Sequence, residues 1–342
     1  MLISVLLIPL LVAMLLAVNM GASGTAPAFS TAFGSRLIKK TYIPLLFGLF
    51  VFLGAVLAGK NVALTMGNGI IAAPSMTLTL TTVILISVTI SIFVANMLGV
   101  PQSTSQSTVF ALVGAALYFN ILEKKKLLYE IIPTWFILPV IAFVVTYIIA
   151  NICTKKLTEA QANSLNQLAR HPGLRIIVIL ASCYVAFAIG SNNVANVSGP
   201  LSSMIVNEMR LQPGPDNFLM ISMLTTLIIA PTFGIGSSIL GHRLVKNTGR
   251  KIVDIGPLAA TLISIITASL LLMASVIKGI PTSLVQLNTG AIIALGISKI
   301  GWRNMLKIKM VRMFWLVWII APIISLILSF LMAYLADKIG IL

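Results

Sequence analysis

From Asn61 to Leu122 the chain contains no Asp, Glu, Lys, Arg or His. A water-soluble domain keeps charge at regular intervals because every element has a face in solvent, so a run of this length restricts the fold severely. A bilayer core about 30 Å thick takes roughly 20 apolar residues per helical crossing, and the run offers several such passes. Over the whole chain 58% of the residues are hydrophobic and 9% are charged. Gly and Pro are scattered through the apolar runs without the alternating pattern of a membrane β-strand, which predicts an all-α polytopic membrane protein rather than a barrel.

Ten candidate crossings follow, at 2–35, 42–59, 76–98, 102–121, 131–151, 176–205, 217–241, 255–277, 281–298 and 313–336. They fall into two membrane halves, 1–151 and 176–342, forming one integrated domain, joined by a polar and basic linker at 152–175 that is expected in the cytoplasm. The first charged residue is Arg36, so the basic leader of a signal peptide is missing and the first apolar segment is expected to remain as a helix.

The formal charge is +16, and Lys and Arg cluster in short joints: Arg36 to Lys40, Lys155 to Arg175, Arg243 to Lys251 and Lys299 to Arg312. That distribution argues for cytoplasmic loops and against nucleic acid. With the N-terminus outside, 16 Lys and Arg lie inside and 7 outside, although the joint at Glu123 to Lys126 runs against the trend. A multi-pass protein of the cell membrane is expected. Cys153 and Cys183 lack a CxxC spacing, and His171 and His242 fall in joints, so no metal site, cofactor or catalytic set is expected.

Polar residues nevertheless occur inside the apolar runs, in matched places. Gly99 to Gln106 and Gly279 to Gln286 both read G-[VI]-P-x-S-x-x-Q. Gly54 to Lys60 answers to Gly236 to His242, and two small-residue clusters, MGASGTAPAFSTAFGS from Met20 and IGSNNVANVSGPLSSM from Ile189, interrupt the first long span of each half. Repeats of an odd number of crossings must be inverted relative to one another, which predicts two inverted repeats with interrupted or re-entrant helices.

Backbone groups freed by helix breaks survive in lipid only when buried in protein or lining a cavity, so the four clusters should converge. Pro101 and Pro281 each precede a Ser, which suits a helix start whose NH groups and dipole attract an anion. No charged side chain falls in the middle of a predicted span, so a ligand must be met by hydroxyls, amides and backbone NH groups, a set suited to a small oxyanion. Each cluster alone is also compatible with helix packing, Gln106 and Gln286 with an interhelical hydrogen bond, and Pro27 and Pro231 with kinks. The repetition favours a site. A membrane enzyme would need an intramembrane acid, base or nucleophile set, and the spans provide no acid or His.

These motifs resemble the inorganic phosphate transporter family, whose two halves each carry a G-A-N-D-V-A-N signature and a later P-x-S-T-T-H signature. Gly190 to Asn196, followed by Gly199 and Pro200, is similar to the second signature; Gly21 to Pro27 is a weaker copy; Pro101 to Gln106 and Pro281 to Gln286 resemble the later pair. Where the family has Asp, this chain has Gly24 and Asn193; where it has His, Gln106 and Gln286 stand. The resemblance implies a transporter working by alternating access and a homodimer, but the sodium coupling associated with those acids does not carry over.

Phosphate near neutral pH still bears a proton and can donate to a carboxylate, whereas sulfate bears none. A site without carboxylates suits sulfate, as in the bacterial sulfate permease branch that the pattern resembles; the alternative is a phosphate carrier. Expected anion ligands are Ser23, Thr25, Ser103, Thr104, Asn192, Asn193, Thr282 and Ser283, with backbone NH groups near Gly21 and Gly190. Gln106, Gln286 and Ser105 are expected behind them. A proton is the expected coupling ion, with Glu130, Asp254 and the two histidines as weak candidates for carrying it.

Overall fold

The computed structural model describes residues 2–98, 102–155, 172–212, 214–241, 244–245 and 256–341. Gly99 to Pro101, linker residues 156–171 with His171, and His242, Arg243 and Asp254 lie outside the described residues. The described chain is helical, with one isolated β-bridge between Ile71 and Leu122.

The helices of the first half are α1 (Leu2–Gly34), α2 (Ile43–Ala58), α3 (Lys60–Asn68), α4 (Leu78–Leu98), α5 (Thr104–Phe119) and α6 (Ile132–Lys155). Those of the second are α7 (Pro172–Asn193), α8 (Ala195–Glu208), α9 (Pro215–Gly236), α10 (Pro257–Met273), α11 (Leu284–Ile300) and α12 (Lys309–Lys338). Pro44, Pro215 and Pro257 stand in the first turns of α2, α9 and α10, where a missing NH costs nothing. Many buried hydroxyls inside the helices bond back to the preceding turn, as Ser87 does to the Val83 carbonyl at 2.8 Å and Thr267 to the Ile263 carbonyl at 2.8 Å. Such bonds let an apolar span carry polar residues without leaving donors bare in lipid.

Among the described residues, eight segments are long and apolar enough to cross a bilayer. The expectation of ten crossings is corrected at α5 and α11: with 16 and 17 residues they extend about 24 and 26 Å, short of the roughly 30 Å core. Both are short helices that begin in the protein interior, at the buried Ser103 and Ser283.

The expected interruption of the first span is corrected too. α1 runs unbroken through the Met20 cluster despite Pro27, and Ser23 and Thr25 satisfy their hydroxyls on carbonyls of their own helix, Met20 at 3.0 Å and Gly21 at 2.7 Å. The matching cluster in the second half breaks only at Val194, between α7 and α8.

Packing partners recur with the halves exchanged. α1 packs on α4 as α7 packs on α10; α2 crosses α7 as α9 crosses α1; α5 lies on α12 as α11 lies on α6. The crossings are held close by glycines in reciprocal pairs. A Cβ on Gly54 would lie 1.9 Å from the Phe187 carbonyl oxygen, and one on Gly190 would lie 2.1 Å from that of Val51. Between α1 and α9, Gly236 meets the Val18 carbonyl at 1.9 Å and Gly21 meets that of Phe233 at 2.2 Å by the same measure. In a bilayer, where apolar burial does not drive helices together, such close backbone approach supplies the attraction.

Candidate functional site

The site begins with the two helix starts. Ser103 (φ −79°, ψ 108°) caps α5 by accepting from the Gln106 NH at 3.2 Å, and Ser283 (φ −97°, ψ 107°) caps α11 by accepting from the Gln286 NH at 3.3 Å. Extended backbone at the cap, followed by helix, is what a Ser-x-x-Gln sequence favours. It leaves the NH groups of the next two residues, Thr104 and Ser105 in one helix and Leu284 and Val285 in the other, without partners inside their helices. Each start therefore presents donors at the positive end of a helix dipole.

Between them lies a cavity of about 30 Å³. Its walls are Ser23, Gly24 and Pro27 of α1; Gln102, Ser103 and Thr104 of the first start; Ile189 and Asn193 of α7; and Thr282, Ser283, Leu284 and Val285 of the second. Asn193 Nδ2 donates to Thr104 Oγ1 at 3.1 Å, leaving one amide hydrogen and the carbonyl oxygen for other partners. Gln102 Nε2 donates to Ser91 Oγ at 3.0 Å and to Ser107 Oγ. Among the described residues no Asp, Glu, Lys, Arg or His is buried, and no group of acidic, His and Cys side chains could hold a metal. The chamber is thus neutral in its side chains and biased positive by its two helix starts. Hydrogen-bond donors gathered around a small, partly open cavity suit an anion of a few atoms.

Six of the residues singled out in the sequence, Ser23, Ser103, Thr104, Asn193, Thr282 and Ser283, meet on this cavity. The others lie elsewhere. Thr25 is fully buried with its hydroxyl on the Gly21 carbonyl, and Gly21 and Gly190 serve the helix crossings. Asn192, also fully buried, is a four-way strut: its Oδ1 accepts from Ser105 Oγ (3.0 Å) and the Thr282 NH (3.1 Å), and its Nδ2 donates to Ser275 Oγ (2.8 Å) and the Ile280 carbonyl (3.2 Å). Ser105 also accepts from Asn196 Nδ2 at 3.0 Å. Gln106 and Gln286 stand off the cavity and bond to each other.

Sequence reasoning missed Gln102, Gly24, Pro27, Ile189, Leu284 and Val285 as wall residues. Leu284 and Val285 carried a usable signal, because the two residues after an N-cap serine contribute free NH groups whatever their side chains. Ile189 carried none. Of the coupling candidates, Glu130 lies on the exposed turn before α6.

A sequence profile described as the phosphate transporter family matches residues 20–174 and 154–329. The sulfate permease CysP of Bacillus subtilis is 34% identical over 330 residues, which cover 96% of this chain and 87% of that protein. A putative phosphate permease of Methanocaldococcus jannaschii is 26% identical, with 91% of each chain covered. Among solved structures, one titled the sodium-dependent phosphate transporter superposes with a TM-score of 0.84, covering 98% of this chain and all of the other at 21% identity, and shares its fold.

Proposed function

The chain belongs to the phosphate transporter family, and from that premise we propose that it is a secondary carrier importing sulfate through the cavity between the two helix starts. It is a multi-pass membrane transporter, with the cell membrane as its place of work. The observation that carries the sulfate reading is the wall chemistry: hydroxyls, amides and backbone NH groups, with no carboxylate. Phosphate near neutral pH keeps a proton that a carboxylate can accept; sulfate has only acceptor oxygens, which call for donors alone. A wall of donors with no fixed negative charge discriminates by omission, since it offers phosphate's proton no strong partner and sulfate no repulsion.

In this reading Ser23, Ser103, Thr104, Asn193, Thr282 and Ser283 bind the anion, together with the backbone NH groups that open α5 and α11. The spare amide hydrogen of Asn193 occupies the position of an acid in the family signature. Residues 1–151 and 176–342 act as inverted halves about the site, joined by the linker at 152–175, and the homodimer implied by the resemblance belongs to the same proposal. Import draws on a proton rather than sodium, because the pair of signature acids is replaced by Gly24 and Asn193. The protein is a carrier and not a catalyst.

Equilibrium competition on detergent-purified protein tests the assignment. At each pH from 6 to 8, unlabelled sulfate should displace labelled sulfate at lower concentration than phosphate does, with phosphate competing at least about tenfold more weakly, a gap of roughly 1.4 kcal/mol. Displacement by phosphate at lower concentration than by sulfate contradicts it.

A further inference from the structure

The Ser-x-x-Gln starts depart from the usual behaviour of that sequence in one respect. A Gln three residues past the cap ordinarily folds back onto the NH of the capping residue. Here neither does. Gln106 Nε2 donates to Gln286 Oε1 at 3.2 Å, and Gln286 Nε2 donates to Gln106 Oε1 at 3.1 Å. Both side chains are 5% exposed, and neither lines the cavity. The two short helices are thereby joined to each other one residue beyond their last wall positions on the α11 side and two beyond on the α5 side.

We propose that the Gln106–Gln286 amide pair is the positioning device that sets the gap between the two helix starts, so that one anion can be held by both. The inference rests on the reading of the cavity as an anion site and adds the part that spaces it. Neither glutamine contacts the anion; each acts through the helix that carries it. The choice of side chain follows from chemistry: a reciprocal pair needs a donor and an acceptor on each partner, and an amide supplies both without a charge that would repel the ligand or cost desolvation. Losing one partner leaves the other amide buried and unsatisfied, which costs more than removing both.

A protonated carboxylic acid offers the same donor and acceptor pair as an amide, and an ionised one does not. Gln286→Glu therefore makes the junction conditional on a proton. Protonated, the new side chain donates to Gln106 Oε1 and accepts from Gln106 Nε2; ionised, it sets a negative oxygen against that same Oε1. Compared with the wild type at the same pH, affinity for sulfate in Gln286→Glu should be equal at acid pH and fall about tenfold or more as pH rises through the titration of the new acid. Gln106→Glu should behave alike and serves if the first variant does not fold.

The charge-free arm is a double-mutant cycle with Gln106→Leu and Gln286→Leu. Each single change should weaken binding about tenfold at every pH, and the double variant should bind more tightly than the sum of the two losses predicts. Additive losses, or single Leu variants that bind like the wild type, overturn the proposal, as does a Glu variant whose affinity ignores pH. Running the series with both labelled sulfate and labelled phosphate separates the two claims. If phosphate is the tighter ligand, the sulfate assignment fails while the pair is still judged by the cycle; if sulfate binds and the cycle is additive, the pair fails alone.

Discussion

Asn192 and Asn193 are neighbours at the end of α7, yet only Asn193 reaches the cavity, and the difference is decided by which bonds each amide has already made. Asn192 spends its full capacity on Ser105, Thr282, Ser275 and Ile280, so it can offer a ligand nothing. Asn192→Ala should leave several buried groups unpaired and destabilise the protein by at least about 1–3 kcal/mol, read as a lower melting temperature of the purified protein. Asn193 has donated one hydrogen to Thr104 and retains the other. Asn193→Asp should leave the fold in place but weaken sulfate binding at neutral pH by about tenfold or more, with recovery as the new acid is protonated; measured affinities at pH 5 and pH 8 check both parts. The sequence could mark both asparagines through their cluster but could not divide their labour, because that depends on Ser275 and Ile280, more than 80 residues away.

At the scale of elements, the polar clusters are of two kinds that look alike in sequence. Those before α5 and α11 begin new helices; the one in α1 begins nothing, because its hydroxyls are satisfied within the helix and its glycines admit a neighbouring backbone. Gly, Ser and Thr in lipid serve either purpose, and only the neighbour decides. The Ser-x-x-Gln capping pattern was legible without that knowledge, since a cap is a local device. The crossings predict a sharp contrast. Gly54→Ala places a methyl 1.9 Å from the Phe187 carbonyl oxygen and should cost about 1–3 kcal/mol or more of stability, whereas Gly34→Ala, with nothing within 4 Å, should be neutral within about 0.5 kcal/mol. Thermal unfolding of the two variants side by side makes the comparison.

For the whole molecule, the charge-free runs and the basic joints carried the membrane class and the helical architecture, because the bilayer enforces those constraints along the sequence itself. Counting crossings failed at α5 and α11, because composition marks a helix without fixing its reach: their 16 and 17 residues extend about 24 and 26 Å, short of the bilayer core. The exchange of packing partners between halves was foreshadowed by the repeated G-[VI]-P-x-S-x-x-Q motif, but the meeting of its two glutamines was not, since sequence spacing is silent on which side chains converge. The most direct test of sulfate carriage is labelled sulfate uptake into proteoliposomes, with the pH gradient, sodium and membrane potential set independently. Uptake should follow an inward proton gradient without sodium, resist excess phosphate, and drop at least about tenfold in Ser103→Ala/Ser283→Ala. Uptake of phosphate in preference to sulfate, or sulfate uptake untouched by that double change in a folded protein, would contradict it.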